Sequence, residues 1–136
     1  MIYKPRLLTG NYWDRQREAN DLNAICYYEQ HFNSIGGPSA LTADYACCVV
    51  ASNASATSKA WGRDLATRWA TQLETRTGGN SGIIVGGRGN GNLKHTDMPA
   101  IIGESCFCSH PKQANWIRDS AIQVALARTV VRTIRE

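Results

Sequence analysis

The sequence predicts a single α/β domain over residues 1–136, with a mostly parallel sheet flanked by helices. Three observations lead there. The chain has 136 residues, 43% of them hydrophobic, which is enough for one core and too little for two. Short apolar runs alternate with longer segments of helical period, as expected when strands are joined by crossover helices. Two of those runs end in polar residues, Glu29, His31 and Asn33 on one and Glu104 on the other, and in such sheets the site lies beyond the carboxyl ends of the strands.

The elements follow in order. Ile2 to Thr9 is rich in β-formers and is closed by Gly10-Asn11. Asp14 to Leu22 places charged and polar residues at helical spacing and predicts a short helix. Ala24 to Phe32 reads as a strand whose apolar character persists on both faces, as inside an α/β sheet. Ser34-Ile35-Gly36-Gly37-Pro38 then breaks the chain.

Tyr45 to Ala51 is a second strand, after which Ser52 and Asn53 are candidate caps for a long helix reaching about Glu74. Within it Trp61, Leu65, Trp69 and Leu73 recur every fourth residue, the mark of a core-facing side. Thr75 to Asn92 reads as a glycine-rich loop at a site rim. Its Gly86-Gly87-Arg88-Gly89-Asn90-Gly91 lacks the Gly-Lys-Ser/Thr ending of a phosphate-cradling loop. Met98 to Gly103 is the clearest buried strand. Pro111 to Arg135 predicts a terminal helix with Pro111 in its first turn and Ile122, Leu126, Val130 and Ile134 on its apolar side.

Composition narrows the function classes. A net charge of +4 with no basic run does not indicate nucleic acid, yet it is compatible with a polyanionic surface such as a bacterial wall. The five cysteines are odd in number and form no C-x-x-C pair, so a disulfide framework is not expected. Adjacent Cys47 and Cys48 point to opposite faces of a strand and read as small buried hydrophobes. No apolar stretch has the length of a signal peptide or a membrane span. The sequence therefore predicts a product made in the cytoplasm without a leader, reaching a wall only if carried or released.

Chemistry-bearing side chains gather on the two polar-ended strands. Glu29, His31 and Asn33 alternate to one face of the first, and Glu104 ends the apolar run Pro99-Ala100-Ile101-Ile102-Gly103 of the second. A His and a Glu meeting at adjacent strand ends can supply a metal ligand and a general base. Structural roles are equally open to them: a hydrogen-bonded His, a solvated carboxylate. Cys106, with His110 four residues on, is a weaker candidate nucleophile.

Two ordered motifs carry a resemblance. Glu18-Ala19-Asn20-Asp21-Leu22-Asn23-Ala24 leading into Glu29-Gln30-His31-Phe32-Asn33-Ser34, with Arg15 before it, resembles the N-acetylmuramoyl-L-alanine amidase family, whose pattern is an Arg, Ala-Asn, a strand, then His-x-Asn-Ala/Ser. Pro99 to Glu104 is similar to that family's closing strand, Pro-Ala-x-Leu-x-Glu. Cys106-Phe107-Cys108-Ser109-His110 is similar to its Gly-Phe-x-Ser-Asn.

The resemblance implies a peptidoglycan hydrolase that cleaves the amide between N-acetylmuramic acid and the L-alanine of the stem peptide by metal-activated water. It implies zinc as cofactor, His31 as a zinc ligand and Glu104 as the catalytic base. Asn33 is the expected substrate contact, and Glu29, on the His31 face, is a substitute ligand. His95 and His110 match positions that are not ligands in the family. The family's opening strand, ending in Asp-Pro-Gly-His-Gly, and the helix that follows bring a His and a Glu to zinc, and neither has a counterpart here. The expectation is thus an N-terminally shortened domain with an incomplete ligand set and an exposed sheet edge, which favours a homo-oligomer or docking on a partner chain. The alternative is a degenerate, inactive amidase-like domain serving as a wall-binding or structural component of a larger assembly, such as a phage particle.

Overall fold

The computed structural model describes residues 3–136. Its elements are α1 (Tyr12–Asp21), β1 (Tyr27–Asn33), β2 (Tyr45–Val50), α2 (Ala56–Gln72), β3 (Arg76–Thr77), β4 (Ile83–Val85), α3 (Asn90–Leu93), β5 (Ala100–Phe107), α4 (Pro111–Arg118) and α5 (Ser120–Arg135). The strands form one sheet ordered β1-β5-β2-β3, with β4 also on β2. β1 runs parallel to β5, and β3 and β4 run parallel to β2, whereas β2 and β5 are antiparallel. The largely parallel expectation holds with this one reversal at the centre, which makes the sheet mixed.

Local chemistry sets the element ends. Asn11 caps α1, its Oδ1 accepting from the Asp14 N–H at 2.9 Å. The cap of α2 is Ser55, whose Oγ accepts from Ser58 N–H at 3.1 Å, not the expected Ser52 or Asn53. The terminal helix is not continuous. Asp119 adopts an extended backbone (φ −84°, ψ 113°) and its side chain caps α5, since a short carboxylate competes well for helix-end N–H groups. Tyr3 to Thr9 form no strand; the remaining residue of that expected segment, at position 2, lies outside the described residues. The glycine-rich stretch contains β3, β4 and the start of α3, too short to register as periodicity.

Two apolar layers cover the sheet. On one face α2 and α5 pack over Ala46, Cys48, Val50 and Ile101, with Trp61, Leu65 and Trp69 from α2 and Leu126 and Val130 from α5. The fourfold stripe on α2 is therefore core, as expected. Both buried indoles find acceptors, Trp61 in Thr133 Oγ1 at 3.0 Å and Trp69 in the Leu126 carbonyl at 3.3 Å, as buried Trp requires. On the other face a smaller cluster joins Ala19, Tyr27, Val49, Leu93, Ala100 and Ile102. Gly103 is dictated by the larger layer. A Cβ there would sit 2.6 Å from both the Trp69 ring and the Tyr28 hydroxyl, so those side chains occupy the volume a larger residue would fill.

The interior reading of the Ala24 to Phe32 strand is also corrected. β1 is an edge strand among the described residues, paired to β5 alone, and Gln30 to Phe32 are exposed. Its tyrosines gave it an interior look, but each is covered from above or below. Tyr27 is buried in the smaller cluster, while the Tyr28 ring lies 6.3 Å from that of Trp61.

Candidate active site

The register of three strands builds the site. His31 on β1 pairs with Glu104 on β5, and Glu104 pairs with Cys47 on β2. Neighbouring strands lie about 4.8 Å apart, so the three form a row across the sheet. Glu29 and Ile102 form the next row. Because side chains alternate along a strand, Glu29, His31, Ile102 and Glu104 share the face that carries the smaller cluster. The sequence placed His31 and Glu104 together, and the fold does the same. β5 runs three residues past Glu104 to Phe107, and the β1–β5 register shifts between His31 and Asn33, so that Asn33 pairs with Phe107.

Glu29 is the most heavily bonded side chain of the site. Its Oε1 accepts from Arg15 Nη2 at 3.1 Å and from the Tyr27 hydroxyl at 2.7 Å. Its Oε2 accepts from Asn92 Nδ2 at 2.9 Å and lies 3.3 Å from His31 Nε2. Burial works to raise its pKa, but the hydrogen bonds from Tyr27, Asn92 and Arg15 outweigh it and hold the carboxyl below its ordinary value. Burial and the bond to Glu29 in turn push the Tyr27 phenol up to about 12.

This carries a linkage prediction. A carboxyl depressed in the folded state stabilises the fold above its unfolded pKa, near 4.3, and that contribution is lost as pH falls through the folded value. Replacing Glu29 with Gln should cost about 2 kcal/mol at pH 7. In urea titrations the gap to wild type should close as pH drops below about 4; a gap independent of pH would refute the ion-pair reading.

Glu104 has a different environment. The Cys47 thiol donates to its Oε2 at 3.6 Å, and Asn33 Nδ2 donates in turn to Cys47 Sγ at 3.9 Å. Burial first, and then the Glu104 charge, push the Cys47 thiol up to about 12, so it stays protonated and serves as a donor. Asn33 is thereby turned inward, its Oδ1 accepting from Ser34 N–H at 2.9 Å. Sequence reasoning missed Cys47 as a site residue, because only the antiparallel register of β2 on β5 places it beside Glu104.

The other candidates stand apart. His95 stacks on the exposed Trp13 ring at 4.4 Å. His110 precedes α4, and its Nδ1 is buried without a hydrogen-bond partner among the described residues. Cys106 is buried and its thiol is pushed up by burial, the opposite of an activated nucleophile. All five cysteines are free.

The donor set does not by itself fit a catalytic zinc. Such a site needs three protein ligands and an open position, and among the described residues no group of three or more His, Cys, Asp or Glu side chains could hold a metal. Glu29, the expected substitute ligand, has both oxygens engaged by protein donors.

A family model described as N-acetylmuramoyl-L-alanine amidase matches residues 9–136. The chain belongs to this amidase family. The fold agrees with solved amidases. It is similar to the N-acetylmuramoyl-L-alanine amidase from Clostridium difficile 630, with a TM-score of 0.74 and 22% identity over 91% of this chain and 63% of that one. The catalytic domain of CwlV from Bacillus (Paenibacillus) polymyxa var. colistinus gives 0.74 and 20%, over 93% and 65%. Ami1 from Mycobacterium smegmatis gives 0.76 and 15%, over 98% and 63%. The chain thus spans less than two thirds of each of these. No curated protein matches it.

Proposed function

We propose that this chain carries the base-bearing half of a peptidoglycan amidase site, directed at the amide between N-acetylmuramic acid and the L-alanine of the stem peptide. Glu104 takes the proton from the attacking water. The observation that carries this reading is the row formed by His31, Glu104 and Cys47. It sets a carboxylate beside an imidazole on a sheet face, with one carboxylate oxygen steadied by a thiol and the other accepting no hydrogen bond from the described residues. That free oxygen is what a general base needs.

Zinc is the cofactor the family resemblance implies, with His31 as a ligand. The remaining ligands of such a site have to come from outside the described set. The edge of β1 that is unpaired among the described residues, beside His31, presents backbone N–H and C=O groups on which a strand of another segment or chain can dock. No helix among the described residues is long and apolar enough to cross a membrane. The proposed place of action is the wall.

A second reading has an observation of its own. Glu29 closes over His31 Nε2 at 3.3 Å, which suits a retained wall-binding or structural amidase-like domain that no longer cleaves. One sample decides between the two: zinc per chain, oligomeric state by light scattering, and stem-peptide release from muropeptides. Stoichiometric zinc with peptide release supports the amidase. Neither metal nor release, with retention on purified wall, supports the structural component.

A further inference from the structure

On the side of the sheet opposite the row of His31 and Glu104, α2 and α5 leave a cleft of about 550 Å³ lined by Thr67, Arg68, Gln72, Arg128, Thr129 and Arg132 among others. Two of its three arginines are left without a carboxylate partner among the described residues. Arg6, Arg15, Arg17, Arg68 and Arg76 each have a carboxylate within salt-bridge distance. Arg128 and Arg132 form no ion pair among the described residues, as is also true of Arg63, Arg88, Arg118 and Arg135; α5 itself contains no Asp or Glu, while Glu136 just past its end pairs with Arg68. They lie four residues apart, so two guanidinium groups face the same side of the helix and repel one another. The helix dipole accounts for Arg132 and Arg135 in the last turn, but not for Arg128 one turn earlier.

The floor adds a neutral donor. Gln72 Oε1 accepts from the Thr129 hydroxyl at 2.8 Å, which leaves the Gln72 amide N–H groups for a ligand. Arg128, Arg132 and Arg135 then run along one side of α5 over about 10 Å. That is a track for successive charges and not a pocket for a single ion.

We propose that this cleft binds a linear phosphodiester polyanion of the wall-polymer kind, such as poly(glycerol phosphate). The choice of a wall polymer rests on the function proposed above. The choice against nucleic acid rests on the lining: no aromatic ring faces the cleft, whereas single strands are held by base stacking as well as by charge.

The test uses the full chain and synthetic poly(glycerol phosphate) free of peptidoglycan, so that binding is read independently of amide cleavage. Titration by fluorescence anisotropy should show saturable binding. The double variant Arg128→Glu/Arg132→Glu should weaken it at least tenfold and lower the slope of log K against log salt by about two. Arg128→Gln/Arg132→Gln serves where charge reversal impairs folding, and it should weaken binding in the same direction. Arg6→Glu/Arg17→Glu, on the other side of the sheet, should leave affinity within twofold. Absence of binding, equal binding by the Arg128 and Arg132 variants, or tighter binding of an oligothymidylate of matched charge would each overturn the proposal. Unchanged stem-peptide release in a variant that has lost polymer binding separates this site from the amidase row.

Discussion

Glu104→Gln should lower stem-peptide release from muropeptides by roughly 10²–10⁴-fold while leaving the fold intact. The amide keeps the size and planarity of the carboxylate and can still accept from the Cys47 thiol, which lies 3.6 Å from Glu104 Oε2. What disappears is the ability to take a proton from water at neutral pH. The loss should fall on kcat, because the base acts as the bond is made and contributes little to substrate binding. Cys106→Ala is the matched control. Cys106 is buried, its thiol is pushed up by burial, and it takes no part in the proposed chemistry, so activity should stay within a few-fold of wild type. A Glu104→Gln enzyme retaining a third of its activity would remove Glu104 as the base, and a dead Cys106→Ala enzyme with a native melting curve would reopen the thiol as nucleophile.

The second large effect is on stability. Trp69→Ala should cost about 3–5 kcal/mol, a large share of the roughly 5–15 kcal/mol that holds a domain of this size. Trp69 is fully buried, in the larger cluster with Leu65, Ile101 and Leu126. It packs where a Cβ on Gly103 would stand, and its Nε1 donates to the Leu126 carbonyl at 3.3 Å. Removal opens a cavity under the site strand β5 and deletes that hydrogen bond, while the carbonyl keeps its place in the α5 helix ladder. Circular dichroism should show a melting temperature lower by roughly 10–15 °C. Trp13→Ala gives the contrast: its side chain is 52% exposed and stacks on His95, so its removal should cost under about 1 kcal/mol. Equal effects from the two would mean that the core is not where the geometry places it.

The metal question turns on Glu29. In the sequence its alternation with His31 made it a substitute ligand. In the fold it is an anion already neutralised by Arg15 and hydrogen-bonded by Tyr27 and Asn92. Freeing it for a metal means breaking a half-buried ion pair, and removing one partner of such a pair is costly. Arg15 was visible only as a motif position before Ala19-Asn20. Its partner could not be read, because the contact spans fourteen residues and depends on how α1 lies over β1.

The sequence by itself determined the α/β class, the core stripe on α2 and the pairing of His31 with Glu104. Each of these is written in local periodicity or in ordered motifs, which survive whatever the strands do later. Only the tertiary structure decided that β1 lies at an edge, that the terminal helix breaks at Asp119, and that β2 meets β5 antiparallel so that Cys47 stands beside Glu104. Strand order and direction are set by long-range packing between elements far apart in the chain, so that, apart from the two strands tied together by the family motifs, residue patterns along one strand carry no record of which neighbour it will meet.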